Sequence, residues 1–170
     1  MRNCKLLVVT ILVLGLLAAA AWAQGEARPP RPWIASLTST QQVPAGNSAA
    51  LGHVSFTLTA DGMGLNFRLG VEGLVDATAA HIHLGLPNQN GPVVANLFTG
   101  TMPEGYMDNM WPGNQYYGAL AQGTITAKDL VGPLAGKPLT CLLALLHSND
   151  AYVNVHTKAM PDGEIRGQIH

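Results

Sequence analysis

The chain of 170 residues has few charged side chains, few cysteines and none of the common catalytic motifs. Only 11% of its residues are charged, the formal net charge is −1 at pH 7, and there are two cysteines. No basic stripe is visible, which argues against nucleic acid and anionic membrane surfaces as partners. G-x-S-x-G, H-E-x-x-H, P-loop and dinucleotide motifs are missing, and the acidic residues are too scattered to suggest a catalytic carboxylate pair. The sequence therefore favours a function outside the common enzyme classes.

The N-terminus has the layout of a secretory signal peptide, which predicts an exported protein. Arg2 and Lys5 precede an uncharged stretch over residues 6–21, and an Ala-x-Ala site ends at Ala23. A membrane anchor is the alternative, since the apolar run approaches the length that spans a bilayer. We expect a signal peptide over residues 1–23, cleavage near Ala23, and a periplasmic or extracellular location.

Removal of residues 1–23 would leave one domain without an internal disulfide. The remaining 147 residues suffice for a single hydrophobic core. Cys4 leaves with the signal peptide, so Cys141 is the one thiol left, and its leucine neighbours predict a buried, small hydrophobic residue. We expect the proline-rich residues 24–32 to form a flexible tail, followed by a domain over residues 33–170.

From residue 33 onwards, short apolar or alternating runs are broken by Gly, Pro, Asn and Asp, which predicts an all-β sandwich or barrel. The runs are WIASLTS, HVSFTLTA, GLNFRLGVEGL, TAAHIHLG, PVVANLFTG, GTITAKDL, LTCLLALLH, AYVNVHT and EIRGQIH. ADG at 60–62 and PDG at 161–163 predict hairpin turns. LTCLLALLH lacks β-branched residues other than threonine, so a short helix is equally compatible with it. Residues 99–118, rich in Gly, Pro, Met and aromatics, are expected to form a long loop.

Strand alternation gives the histidines a common direction. In AHIHLG, His81 and His83 share one face while Ile82 points to the core, and in AYVNVHT the same alternation turns His156 outward. If the two strands are neighbours, three imidazole nitrogens within about 4 Å of one another could bind one ion. The sequence therefore predicts a metal site on the outer face of the sheet, beneath a loop.

Three segments resemble the chordin-type domain called CHRD. They are AHIHLGLPNQNGPVVANLF, GTITAKDLVGPLAG and AYVNVHTKAMPDGEIRGQIH, and the resemblance extends from Trp33 to His170. It implies a domain of secreted proteins that also occurs alone in exported bacterial proteins, and it implies fold and location more than an activity. The 99–118 segment is longer than the family pattern suggests.

The order GHVSF, VEGL, HIH, VHTK and GEIRGQI is also similar to copper-zinc superoxide dismutases. This similarity implies a Greek-key sandwich or barrel of roughly eight strands, superoxide dismutase-like or immunoglobulin-like. It implies that His81, His83 and His156 are copper ligands. The family's bridging His and its zinc-binding His and Asp cluster are missing, and the sequence does not establish Arg166 as the family's anion-guiding arginine.

The main alternative for His81, His83 and His156 is a set of strand-surface histidines bonded to loop backbone or water. As a ligand set they favour copper, with zinc next. Weaker candidate ligands are His53 and the loop methionines, whose thioethers suit Cu(I) but more often pack a loop; these are Met102, Met107 and Met110. His147 and His170 are expected to be plain surface residues. Glu164, Arg166 and Gln168 share a face of the last strand, where hydrogen bonds or ion pairs to the adjacent strand and loop are expected.

These patterns lead to three functional hypotheses. The first is a non-enzymatic binding module whose histidine face and 99–118 loop bind a metal ion or an extracytoplasmic protein partner. The second is a metal-dependent redox enzyme of superoxide dismutase type. The third is a purely structural domain of the cell envelope or extracellular space.

Overall fold

The computed structural model describes residues 31–100, 110–111 and 115–170. The predicted signal peptide and nearly all of the predicted tail lie outside these residues. The described chain forms nine β-strands, one α-helix (α1, Leu139–Ser148) and three short 3-10 helices at 39–41, 127–129 and 132–134. The strands are β1 (Trp33–Thr38), β2 (Leu51–Leu58), β3 (Leu65–Val75), β4 (Ala77–Leu84), β5 (Val93–Phe98), β6 (Met110–Trp111), β7 (Gln115–Ile125), β8 (Ala151–Thr157) and β9 (Ile165–Gln168).

The nine strands belong to one sheet, in the order β5, β4, β8, β9, β1, β2, β3, β7, β6, and each pairs antiparallel with its neighbours. β5 contacts β7, and Ala95 forms a bridge with Leu130 just beyond β7, so the sheet curls into a nearly closed barrel. Across the closing contact the spatial order of the strands is β8, β4, β5, β7, leaving aside the two-residue β6. Three strands that follow one another in the sequence are thus neighbours, and the fourth returns to lie beside the first, which is a Greek-key arrangement. The all-β fold with roughly eight strands is confirmed, since β6 adds only two residues.

Alternate apolar residues of the strands fill the barrel interior. The alternation expected for β2 is present, because Val54 and Phe56 are buried and their neighbours Ser55 and Thr57 are not. The same side of the other strands contributes fully buried residues, including Leu37, Leu69, Ile82, Leu120, Val153 and Ile165. Burial of such side chains contributes about 1.5–3 kcal/mol each, which suits a domain whose described cysteine forms no disulfide.

Both predicted hairpin turns are present. Gly62 joins β2 to β3 with a φ of +69°, and its N–H donates to the carbonyl of Thr59. Gly163 joins β8 to β9 with a φ of +121°, and its N–H donates to the carbonyl of Met160. Glycine adopts positive φ without the steric cost that a Cβ would add.

The ambiguous segment LTCLLALLH is a helix. Its leucines and alanine are good helix formers, and Leu139, Leu142 and Leu146 lie one or two turns apart on a single buried face. Asn149 ends the helix in the left-handed conformation, with a φ of +58°, and its N–H bonds to carbonyls of the last turn. Cys141 lies in the first turn and is partly exposed, so the prediction that it is a buried residue was wrong.

The prediction of a strandless loop over 99–118 was also wrong. Met110–Trp111 forms β6, and β7 begins at Gln115, pairing with β3. Tyr116 is buried and Tyr117 exposed, so the alternation of a strand is present here, although Gly and Pro are frequent in the residues before it. Residues 101–109 and 112–114 lie outside the described residues.

Loops cover the outer face of β4, β8 and β9 and make a second, polar layer there. They comprise residues 39–50, residues 85–92 and the turn 158–164, and each hydrogen bonds to side chains of that face. Among the described residues, no helix has the length and apolar character needed to cross a membrane.

Candidate metal centre

The pairing of β4 with β8 brings three histidines to one outer face. In this antiparallel ladder Ala79 faces His156, His81 faces Asn154, and His83 faces Tyr152. Facing residues share a side of the sheet, and diagonal neighbours lie within reach of long side chains. His81 is therefore a diagonal neighbour of His156, and the predicted neighbourhood of the two strands is confirmed.

The three imidazoles form one cluster. One ligand nitrogen of each of His81, His83 and His156 can be chosen so that all lie within 4.8 Å of one another. The shortest separation is 3.2 Å, between Nδ1 of His81 and Nε2 of His156. The widest separation between these nitrogens exceeds the limit of about 4 Å that was expected from the sequence. Ring centroids are 4.9 Å apart for His81 and His156, 5.7 Å for His81 and His83, and 6.2 Å for His83 and His156.

Backbone carbonyls of the covering loops fix the tautomers of two of these rings. Nδ1 of His83 lies 2.8 Å from the carbonyl oxygen of Gly91, and Nδ1 of His156 lies 2.9 Å from that of Pro161. A carbonyl can only accept, so both Nδ1 atoms carry a proton, and in the neutral rings the lone pair lies on Nε2. Such an outer hydrogen bond is the usual partner of a metal-ligating histidine.

Burial favours the neutral form of His81 and His83. His83 is 8% exposed, and its Nε2 has no hydrogen-bond partner among the described residues. Burial lowers the pKa of His81 to about 4, with the neighbouring His156 and His83 adding to the effect. Burial also lowers the pKa of His83, although its hydrogen bond to Gly91 opposes the change. Neutral imidazoles with free lone pairs are the form that binds metal ions.

An aromatic and cationic stack lies behind His83. The His83 ring is nearly parallel to the Tyr152 ring, with an interplanar angle of 9° and 4.8 Å between the centroids. The guanidinium carbon of Arg166 lies 3.5 Å from the Tyr152 centroid. Both Tyr152 and Arg166 are 2% exposed. Sequence alternation placed these residues on the outer face but could not reveal that loops bury them.

The Arg166 guanidinium hydrogen bonds to the loop at residues 85–92, which we call the covering loop. The guanidinium donates to the carbonyls of Leu86 and Gln89 and to the side-chain oxygen of Asn90, at 3.1, 2.9 and 3.2 Å. The expectation of hydrogen bonds between this strand and a loop is confirmed. A buried guanidinium with these bonds does not face solvent, so Arg166 is unsuited to guiding an anionic substrate to the histidines.

Glycines let the covering loop approach β4 and β8 closely. A Cβ on Gly91 would lie 1.7 Å from the carbonyl oxygen of Leu84, and one on Gly85 would lie 3.0 Å from the Tyr152 ring. The N–H of Gly91 donates to the Tyr152 hydroxyl at 3.1 Å. The two glycines at 85 and 91 are the sequence signal that could have located this covering loop.

A second network anchors the β8–β9 turn. The Asn154 side chain accepts from Gln42 at 2.6 Å and donates to the Asp162 carbonyl at 3.4 Å. The Glu164 carboxylate accepts from Ser48 at 2.7 Å and from Thr157 at 2.6 Å. This network supports the turn whose Pro161 carbonyl holds His156.

Of the weaker candidates, only His53 has a described side chain, and it does not join the cluster. His53 is exposed on β2 and its ring lies against Gly70. Met102 and Met107 lie outside the described residues, and for Met110 only the backbone strand is described. His147 and His170 are exposed, as expected, although the ring of His147 contacts Trp33 edge to face, with 5.0 Å between centroids.

Comparison with known proteins agrees with the fold and the motifs. The CHRD domain matches residues 33–169, which is most of the chain. No curated protein and no solved structure matches it. Domains of this kind are typically extracellular interaction modules. Since the match covers the barrel from β1 to the residue after β9, the chain belongs to the CHRD domain family.

Proposed function

We propose that this protein is an exported, non-enzymatic module that binds one copper ion through His81, His83 and His156. The observation that carries the proposal is the buried Nε2 of His83, which has no partner among the described residues and lies in a cluster with two other imidazoles. An orphaned buried nitrogen is costly unless something binds it. A metal ion would satisfy it.

The geometry fits a metal ion after a small adjustment. Two ligands on one ion, with metal–nitrogen bonds of about 2.0–2.1 Å, lie roughly 3.4 Å apart in tetrahedral geometry. His81 and His156 are already at 3.2 Å. The widest pair, within 4.8 Å, would close by less than about 1.5 Å, which rotation of the imidazoles can provide.

The donor set favours copper over zinc. Three neutral imidazoles suit both ions, and among divalent first-row metals Cu²⁺ binds a given nitrogen site most strongly. His83 and His156 already present Nε2 lone pairs. His81 now donates its Nδ1 proton to His156, so binding through Nδ1 requires that proton to move to Nε2 of the same ring.

A titration of the tag-free protein with Cu(I), Cu(II) and Zn(II) tests the proposal. We expect one ion per chain with copper the tightest, a loss of affinity of about 100-fold or more in His83→Ala, and no change in the matched control His53→Ala. No binding by the parent protein would overturn the proposal. Stronger binding of zinc than of copper would retain the site and reassign its ion.

A further inference from the structure

Arg166 is a buried cation whose hydrogen-bond acceptors are all neutral. The guanidinium is 2% exposed and bonds to two carbonyls and one side-chain amide oxygen of residues 86–90. Burial lowers its pKa, with the Tyr152 ring opposing the change. Burying a guanidinium costs free energy that an apolar residue of similar volume would not, and this cost points to a role beyond filling space.

Two routes of direct contact connect Arg166 to His83. Through the loop, Arg166 holds residues 86–90, and the carbonyl of the next residue, Gly91, accepts a hydrogen bond from Nδ1–H of His83. Through the stack, Arg166 covers one face of the Tyr152 ring and His83 lies parallel to that ring. The Gly91 N–H joins the two routes by donating to the Tyr152 hydroxyl.

We infer that Arg166 is a positioning residue of the metal centre, which holds residues 85–91 and Tyr152 so that His83 keeps Nδ1 protonated and presents Nε2 to the ion. This inference rests on the proposed metal binding. Arg166 acts through Gly91 and Tyr152 and contributes no ligand atom. The role requires the planar fork of arginine, because one guanidinium bonds to three oxygens of the loop while covering an aromatic ring.

The Arg166→Lys variant separates this role from simple charge. Lysine keeps the positive charge but loses the fork and the flat surface that covers Tyr152. Asn90→Ala removes one of the loop's ties to Arg166 and also its donation to the Val43 carbonyl, so it weakens the same clamp from the other side. Arg68→Lys is the matched control, since Arg68 is exposed on β3 and bonds to Gln122.

The first measurement is the tautomer of His83 in metal-free protein, which nitrogen-15 NMR of its ring reports. In the parent and in Arg68→Lys we expect a protonated Nδ1 and a lone pair on Nε2. In Arg166→Lys and Asn90→Ala we expect the two nitrogens to become more alike, as the tautomers mix. The second measurement is copper affinity, which we expect to fall roughly 10–100-fold in Arg166→Lys and less in Asn90→Ala.

The outcomes distinguish this inference from the proposed function. If Arg166→Lys and Asn90→Ala both fold with an unchanged His83 tautomer and unchanged copper affinity, the positioning role is overturned while metal binding stands. If the tautomer mixes in both variants but the parent protein binds no metal, the positioning of His83 stands and the proposed function fails. The NMR spectrum shows whether each variant folds. If one of Arg166→Lys and Asn90→Ala does not fold, the other variant is used for the test.

Discussion

Nδ1 of His81 lies 3.2 Å from Nε2 of His156, although 75 residues separate them in the sequence. The register between β4 and β8 creates this contact, because His156 faces Ala79, two residues before His81 on the same side of the sheet. A shift of one residue in that register would turn His156 toward the core and dissolve the cluster. The candidate site thus depends on a strand pairing between distant parts of the chain.

Copper is expected to stabilise the folded protein. An ion that binds only the folded state adds about 2.7 kcal/mol at a free concentration 100 times its Kd. For a domain of this size the midpoint of thermal unfolding should rise by several degrees. The midpoint of His156→Gln should not respond to copper. An equal rise in both proteins would locate the bound copper elsewhere.

The metal-free protein should lose stability between pH 6.5 and about 4. The pKa of His81 is about 4 in the fold and 6.5 as a free side chain, so in this window the unfolded chain binds more protons. The free energy of unfolding therefore rises with pH here and is lost as pH falls toward 4. Urea unfolding with a chelator present should show a weaker pH dependence for His81→Gln than for the parent. The same dependence in both would contradict this assignment.

Gly163→Ala should destabilise the protein more than Gly62→Ala. Both glycines have positive φ, but a Cβ at Gly163 would lie 2.4 Å from the Asn154 amide, which Gln42 holds in place, whereas nothing lies within 4 Å of one at Gly62. We expect losses of about 2–4 kcal/mol and about 1 kcal/mol, respectively. Denaturant unfolding measures both, and equal losses would refute the crowding argument.

Tyr152→Phe and Tyr152→Leu should separate the hydroxyl from the ring. Phenylalanine keeps a ring between His83 and Arg166 and removes the acceptor of the Gly91 N–H, which should cost about 1 kcal/mol of stability. Leucine also removes the parallel ring that holds His83 in place. Copper affinity measured by calorimetry should therefore fall further in Tyr152→Leu. If the phenylalanine variant binds copper as weakly as the leucine variant, the hydroxyl is the important group.

The sequence predicted the strands, two turns and the direction of the three histidines, because each depends on local alternation or on Asp-Gly pairs. It did not predict the burial of Tyr152 or Arg166. Alternation assigns both to the outer face, and only the distant loop at 85–91 buries them there. When a distant loop buries one face of a strand, the sequence of that strand carries no periodic signal of the burial.

Two elements that were ambiguous or wrong from the sequence have a similar explanation. In the sequence of α1 nearly every residue is apolar, so periodicity alone does not distinguish a helix from a strand. Leu139, Leu142 and Leu146 show the helical spacing once it is known that they are the buried residues. The start of β7 was missed because the Gly, Pro and Met residues before Tyr116 hide the alternation, although tyrosine is common in strands and the segment pairs with β3. In both cases the local pattern is too weak to identify the element.

The position of β8 and β9 in the sheet makes the candidate centre depend on strands from distant parts of the chain. Both β8 and β9 follow the other seven described strands in the sequence, yet they lie between β4 and β1 in the sheet. A growing chain that ends before Ala151 contains His81 and His83 on an unpaired edge and lacks His156. Contacts between such distant segments form slowly. A complete set of three histidines therefore requires that β8 has paired with β4, and an ion bound by all three would tie these two strands together.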